Sequence, residues 1–419
     1  MRQIRLSVVA LGLSAVALAV SVPCRSDSLL VTGEPFLLND ADIFSIYDSA
    51  GTEDRNRAAV TVDGVARNLV VLPNLQPLAG SEIRACLRVN GVDTPVCVIY
   101  DSGDWPGPVR NGSSVDVAAG DVVTVHLTET LGVNSGANVR SSFQVSSLGI
   151  FHDGFESNGT TAWTGAGLTA PAIIVAGEPF VGAGTDTFSI GGSPGTEERN
   201  RAAMPRAGRL RNLYLLPNQQ PIAGGVIRAC LRVNGVDTAL CVSYASADWP
   251  NPKGNTATTV TVVQGALVTL HFTEQGTGSN ANARASFALG PVASESVGAV
   301  VITSEPFLFD NANVFSIAPG SSGTEDRNRA GMPGPGTIRN LFVMPNQQPA
   351  VGSDIHACIR VNAVDTALCV VYGSADWPNP KGNTAASVAV AADDIVTVRF
   401  TEQAGISSTA NVRASFEVR

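Results

Sequence analysis

Ile83, Ala85, Leu87 and Val89 alternate with Arg84, Cys86 and Arg88. A period of two belongs to a strand with one apolar face. The same kind of signal appears in "DIFSI" (42–46), "NLVVL" (68–72), "PVCVIY" (95–100), "DVVTVHLTE" (121–129) and "NVRSSFQV" (138–145). Clusters of Gly, Pro, Asn and Asp separate these runs, and "AAGD" (118–121) reads as a turn between two strands. Helical periodicity is almost absent. Six to eight short strands in about 115 residues predict an antiparallel β-sandwich of jelly-roll type.

The stretch "ACLRVNGVDTPVC" (85–97) reads as a hairpin. Setting Cys86 opposite Cys97 places Leu87 against Val96, Ala85 against Val98 and Ile83 against Tyr100. Side chains alternate along a strand, so these residues share one apolar face, while Arg84, Cys86, Arg88 and Ile99 lie on the other. A disulfide is best served by a non-hydrogen-bonded pair, where side chains approach closely. That register predicts a four-residue loop, Asn90-Gly91-Val92-Asp93. The third version of this hairpin carries Ala363 in place of the glycine, which speaks against a two-residue primed turn.

The pattern occurs three times. "ACLRVNGVDTALC" (229–241) and "ACIRVNAVDTALC" (357–369) repeat the hairpin. "GEPF" (33–36) returns at 177–180 and, as "SEPF", at 304–307; "GTEDRNRA" (51–58) returns as "GTEERNRA" at 195–202 and unchanged at 323–330. The offset is 144 residues from Cys86 to Cys230 and 128 from Cys230 to Cys358, the length of a whole domain rather than of a solenoid turn. The expected organisation is a β-sandwich repeat at 29–146, a linker at 147–171, a second repeat at 172–290, a linker at 291–298 and a third repeat at 299–419. The first linker holds Phe151, Phe155 and Trp163, which are expected to pack on a neighbouring module.

Six of the seven cysteines thereby pair as Cys86–Cys97, Cys230–Cys241 and Cys358–Cys369, leaving Cys24. Each bridge closes a short loop, for about 2–3 kcal/mol of stabilisation. Metal ligation would need four converging soft ligands, and each copy offers two. Disulfides imply an oxidising compartment. The N-terminus agrees: Arg2 and Arg5 precede an apolar run from Leu6 to about Val22, the form of a secretory signal peptide cleaved after residue 19; a retained membrane anchor, for which the run is short, and a lipid-anchored Cys24, which Pro23 fits badly, are the alternatives. No later segment is long and apolar enough to span a bilayer as a helix.

Charge narrows the partners. The chain carries a net −9, and removing residues 1–19 with Arg2 and Arg5 takes it to −11. Such a surface repels nucleic acid and anionic lipid. Only two of 27 basic residues are lysine, Lys253 and Lys381.

Two recurring constellations are candidate sites. The first is the polar loop Glu53, Arg55, Asn56, Arg57, with Glu197, Arg199, Asn200, Arg201 and Glu325, Arg327, Asn328, Arg329 in the later copies. It reads as an internal ion-pair and turn network or as a polar ligand site; an arginine beside every carboxylate disfavours a cation. The second is Asp104-Trp105, Asp248-Trp249 and Asp376-Trp377, each followed by proline. An exposed Trp beside Asp stacks on a sugar ring; a packed one plugs the end of a sandwich. Glu129, Glu274 and Glu402 end strands and are expected to be solvated. No nucleophile elbow, zinc motif or phosphate loop is present, so neither catalysis nor a cofactor is expected.

At "RNLVVLPN", "IRACLRVNGVDTPVCV" and "VAAGDVVTVHLTE" each copy resembles a jelly-roll module of bacterial and phage surface proteins, similar to the tumour-necrosis-factor and complement globular-head fold. The disulfide and the "TE-RNRA" loop depart from that pattern. "DGFES…AW" in the first linker resembles a short motif of secreted bacterial proteins, found where modules meet. The resemblance implies an exposed, non-catalytic role and a tendency to form trimers. Within one chain, three copies are then either beads on a string, the plainer expectation, or a closed pseudo-trimer. The function this supports is a structural or adhesive surface protein; the alternative is a carbohydrate-binding protein using the Asp-Trp-Pro loops.

Overall fold

The structure, a computed structural model, describes residues 27–147, 172–290 and 299–419. Short segments within these spans are excepted: 33–36, 38–41, 47–48, 131–136, 176–179, 182–183, 191–194, 277–280, 304–307, 309–311, 318–322 and 404–409. The expected signal peptide, Cys24, Phe151, Phe155 and Trp163 lie outside the described residues, as do the second linker and most of the first.

The chain is all-β, and every strand pair is antiparallel. Copy one contributes β1 (Asp27–Val31), β2 (Ile43–Ile46), β3 (Ser49–Gly51), β4 (Ala58–Ala59), β5 (Gly64–Pro73), β6 (Glu82–Val89), β7 (Val92–Tyr100), β8 (Val109–Val117), β9 (Val122–Thr130) and β10 (Val139–Ser147). They form two sheets, ordered β1-β10-β5-β8 and β3-β2-β9-β6-β7, with β4 paired to β9. Neighbours within a sheet are mostly not neighbours in sequence, the interleaving of a jelly roll. Copy two builds the same orders from Ala172–Val175, Ala281–Gly290, Gly208–Pro217 and Lys253–Val262 in one sheet. Thr187–Ser189, Leu267–Gln275, Val226–Val233 and Val236–Ala245 form its other sheet, with a single bridge from Phe188 to Gly195 where copy one has β3, and copy three follows suit.

Alternation puts the core between each pair of sheets. Ile83, Ala85 and Leu87 from β6 meet Leu69 and Val71 from β5 and Phe143 from β10, all essentially inaccessible to solvent. Burying one such large side chain stabilises by about 1.5–3 kcal/mol. Strand β8 carries no sequence signal because it is an edge strand, its side chains mostly exposed. Asn111 holds it down by donating to the Cys97 carbonyl.

The disulfides form as the alternation predicts: Cys86–Cys97, Cys230–Cys241 and Cys358–Cys369, each with a Cα–Cα distance of 4.1 Å. That close approach marks a non-hydrogen-bonded pair. The loop between them differs from expectation. Val89 pairs with Val92, so the turn is the two residues Asn90-Gly91, with φ of 50° and 80°, a type I′ turn. A bulge reconciles the short turn with the cysteine register: the pairing slips between Cys86 and Arg88, so Leu87 does not face Val96, although both point into the core. Thr94 fills the slip, donating its hydroxyl to the Leu87 carbonyl at 2.7 Å and accepting from the Val96 N–H at 3.2 Å. Ala363 does not prevent the turn; it sits at φ 63°. Its neighbour Asn362 is pinned in the left-handed region by side-chain bonds to Asp394 and to the Ile395 N–H, both 2.8 Å. The local cost at alanine is offset by tertiary contacts.

The copies also touch one another. Arg284 and Ser286 of copy two donate to the Ile46 and Ala59 carbonyls of copy one, at 3.0 and 2.7 Å. Arg140 and Ser142 of copy one donate to the Arg327 and Gly331 carbonyls of copy three, at 3.1 and 2.6 Å. Arg413 and Ser415 of copy three donate to the Ile190 and Ala203 carbonyls of copy two. All six donor residues are buried. The first strands of the copies, β1, Ala172–Val175 and Ala299–Ile302, contact one another pairwise.

Candidate functional site

The polar loop begins with a single 3-10 turn, Glu53–Arg55, closed by the Asn56 N–H bonding the Glu53 carbonyl at 2.9 Å. Asn56 is buried and its side-chain amide donates back to the Thr52 carbonyl at 2.8 Å; Asn200 and Asn328 do the same at 3.1 and 2.9 Å. Such local side-chain bonds fix a turn. Glu53 pairs with Arg88 at 3.1 Å, Glu197 with Arg232 at 3.1 Å and Glu325 with Arg360 at 3.1 Å. Of Arg55 only the backbone is described; Arg199 and Arg327 are exposed.

Each of those strand arginines joins a cluster that the sequence pattern did not single out. Arg88 lies over the Phe44 ring at 5.3 Å and pairs with Asp93 at 3.5 Å. His126 stacks on Phe44 at 4.7 Å, with Nδ1 3.1 Å from Asp93 and Nε2 3.0 Å from Asp42. His271 repeats this with Phe188, Asp237 and Asp186. In copy three Arg399 takes the histidine's place and pairs with Asp365 at 2.6 Å. The position thus holds, in all three copies, a side chain within hydrogen-bond reach of the aspartate beside the turn. The sequence signal for this cluster is the aspartate that recurs at 93, 237 and 365, beside the turn.

The Asp-Trp-Pro loops are built from their aspartates. Asp248 accepts from the Ala245 N–H at 2.8 Å and pairs with Lys253 at 2.9 Å. Asp376 accepts from the Gly373 N–H and pairs with Lys381, both at 2.8 Å; Asp104 accepts from the Asp101 N–H at 2.9 Å. Burial alone would push the Asp248 carboxyl up, but the Ala245 N–H and the Lys253 ammonium hold it below the usual carboxylate range. Asp376 is lowered in the same way against burial, by Lys381 and the Gly373 N–H. The three tryptophans are half-buried.

The two recurring motifs meet, and they meet across copies. Arg57 of copy one lies over the Trp249 ring of copy two at 5.6 Å. Arg201 of copy two lies over Trp377 of copy three at 5.5 Å, and Arg329 of copy three over Trp105 of copy one at 5.7 Å. Glu53 and Trp105 of one copy, by contrast, belong to separate sites. Between copies two and three a groove of about 730 Å³ opens, lined by Glu197, Glu198, Arg201, Phe342 and Asn379 among others. Among the described residues no group of three or more His, Cys, Asp or Glu side chains is placed to hold a metal ion.

Beneath each tryptophan loop lies a buried tyrosine. Tyr100, Tyr244 and Tyr372 donate to the Gly107, Asn251 and Asn379 carbonyls, each at 2.9 Å. Burial, reinforced by Asp104, pushes the Tyr100 hydroxyl up to about 12; burial and Asp248 push Tyr244 up to about 12, and Tyr372 is raised likewise by burial and Asp376. An unfolded tyrosine ionises near its ordinary value of about 10. Above that pH the unfolded chain releases protons that the folded chain keeps, so stability falls as pH rises. The protein is expected to hold its stability up to about pH 10 and lose it toward about pH 12. Phenolate absorbance should rise together with the loss of tertiary circular dichroism, and a triple Tyr100→Phe, Tyr244→Phe, Tyr372→Phe variant should flatten that decline.

Strand-end glutamates are not solvated as their position in the sequence implied. Glu129, Glu274 and Glu402 are buried, and Glu129 and Glu402 each accept the hydroxyl of Ser81 or Ser353 at 2.5 Å. These serines tie the turn before the Glu82–Val89 strand, or its equivalent, to the end of the neighbouring strand. Three disulfides are compatible with an extracellular protein; no described helix is long and apolar enough to cross a membrane. No family model and no curated protein sequence matches this chain.

Proposed function

We propose that this is an exported, non-catalytic structural or adhesive protein whose three copies close on one another as an intrachain pseudo-trimer. The observation that carries the reading is the cyclic set of arginine–tryptophan contacts: copy one on two, two on three, three on one. A cation over a ring is worth about 0.5–2 kcal/mol, and the six buried arginine and serine donors add hydrogen bonds to neighbouring backbone. Two motifs that looked like ligand sites in the sequence are thereby spent on assembly. The disulfides and the leader-like N-terminus support export, and the acidic balance supports a partner other than nucleic acid.

Small-angle scattering of the exported chain tests the arrangement. A closed particle of this length has a radius of gyration of about 22 Å, whereas three tethered beads give more than about 30 Å. The larger value would sink the closed form.

The groove between copies two and three favours glycan recognition as a second reading, since it joins two carboxylates, a guanidinium and the Phe342 ring. A glycan array read with the wild-type chain and with Trp249→Ala and Trp377→Ala together separates the two. Binding lost in the double variant supports glycan recognition; no binding by the wild-type chain supports the structural role alone.

A further inference from the structure

The three interfaces are built on one plan, yet their side chains differ in a correlated way. Where copy two meets copy one, Tyr214 is the bulky residue. A Cβ on its strand neighbour Gly254 would lie 2.6 Å from the Tyr214 ring, and one on Gly120 of copy one 3.7 Å from it. Where copy three meets copy two, Phe342 takes that place, against Gly382 at 2.6 Å and Gly265 of copy two at 3.6 Å. Copy one has Val70 instead. The space freed beside it holds Arg110 in place of the strand glycine, and Arg110 pairs at 3.6 Å with Asp393 of copy three.

Asp393 occupies the turn position of Gly120 and Gly265, at φ 70° where they have 94° and 81°. A left-handed conformation is uncommon for any residue but glycine. The aspartate makes the same backbone bond, its N–H to the Met332 carbonyl at 2.8 Å, that Gly120 and Gly265 make to Val60 and Met204. Its side chain is therefore what distinguishes the position, and that side chain faces Arg110. Gly331 belongs to the same interface: a Cβ there would lie 2.6 Å from Val70, and the other copies carry Ala59 and Ala203.

A second position varies in step. Glu417 of copy three, fully buried, pairs with Arg339 and Arg419 of its own copy at 3.0 and 2.8 Å and, across the interface, with Arg206 of copy two at 3.3 Å. The matching residue of copy one is Gln144, and it lies against Gly334 of copy three, where an added Cβ would be 3.0 Å away. Exchanging partners breaks these matches. Copy three against a second copy three would set the Phe342 ring on the Asp393 carboxylate and Glu417 against Gly334. Copy one against a second copy one would set Arg110 on Gly120. Specificity of this kind arises as much from mismatches as from matches.

We infer that the copies recognise one another by identity: the strand face of copy one takes copy three, that of two takes copy one and that of three takes copy two, with copy one and copy three each disfavoured against its own kind. The ring then closes in a single order, and because the three copies are tethered in one chain that closure falls within the chain. This rests on the closed arrangement proposed above.

Arg110→Lys in the full-length chain allows the test. A carbodiimide joins a lysine to a carboxylate in direct contact. The native pairs Lys253–Asp248 and Lys381–Asp376, at 2.9 and 2.8 Å, serve as internal controls. The expected product is a peptide joining position 110 to Asp393 in a species of monomer mass. Coupling of 110 to a carboxylate of another copy, coupling mainly in species of dimer mass, or none while the controls react, each overturns the inference. A second variant guards against a poorly seated lysine. Gly265→Asp, which puts a carboxylate against Phe342, should lower Tm by several degrees, and adding Phe342→Val with Gly382→Arg should recover most of that loss. No loss with Gly265→Asp, or no recovery, also overturns it. Scattering on the same samples separates the failures: a compact particle with the wrong link sinks the order alone, and an extended one sinks the closed arrangement with it.

Discussion

Tyr372→Ala is expected to lower the stability of the chain by about 3–5 kcal/mol, the cost of emptying a large aromatic site in a packed core. Tyr372 is fully buried on the edge strand Val364–Gly373, and its ring joins the core of copy three. Its hydroxyl does separate work, holding the loop that follows Trp377 through the Asn379 carbonyl at 2.9 Å. Tyr372→Phe removes only that bond and should cost about 0.5–1.5 kcal/mol. Urea unfolding of the two variants checks both values. Because Trp377 sits under Arg201 of copy two, the alanine variant should also shift tryptophan emission toward that of exposed indole before global unfolding, whereas the phenylalanine variant should not. Equal losses in the two variants would mean that the loop tie, not the buried ring, dominates.

The second large effect is expected at the hairpin. Cys230→Ala with Cys241→Ala opens a bridge spanning 11 residues, for a loss of about 3 kcal/mol through the freed unfolded chain. The turn itself should survive. Asn234 keeps its side-chain acceptor bond from the Leu267 N–H at 2.9 Å, and Thr238 keeps its bond to the Leu231 carbonyl at 2.7 Å. The variant should therefore be folded and less stable, not misfolded, and hydrogen exchange should show faster opening confined to Val226–Val233 and Val236–Ala245. A stability equal to the wild type would show that the turn already supplies the restraint.

Much of one copy was legible because strand alternation is local. Ile83, Ala85, Leu87 and Tyr100 announce an inward face within a dozen residues, and a pair of cysteines on matching positions of a hairpin follows from the same parity. The turn was misread because its register depends on a bulge. Here the irregularity adds two residues to one strand, so the alternation of faces continues unbroken through it and parity alone cannot reveal it. Strand β8 was missed for the opposite reason: an exposed edge strand buries too little to leave a pattern. Glu129 was misread because Ser81, its partner, comes 48 positions earlier in the chain.

The candidate site divides along the same line. Composition and spacing identified both recurring motifs, Glu53-Arg55-Asn56-Arg57 and Asp104-Trp105, as well as the division of labour between apolar and polar faces. What each motif touches was decided by tertiary structure. Arg57 meets a tryptophan 192 positions away, in another copy, and nothing in a local window encodes that distance. By itself the sequence determined the strands, their inward faces, the cysteine pairs and the threefold repetition, all consequences of short-range periodicity and of self-similarity. Only the folded chain decided that the loop of one copy covers the tryptophan of the next, because contact between surfaces depends on how sheets are stacked and turned in space, and that information is spread over the whole chain.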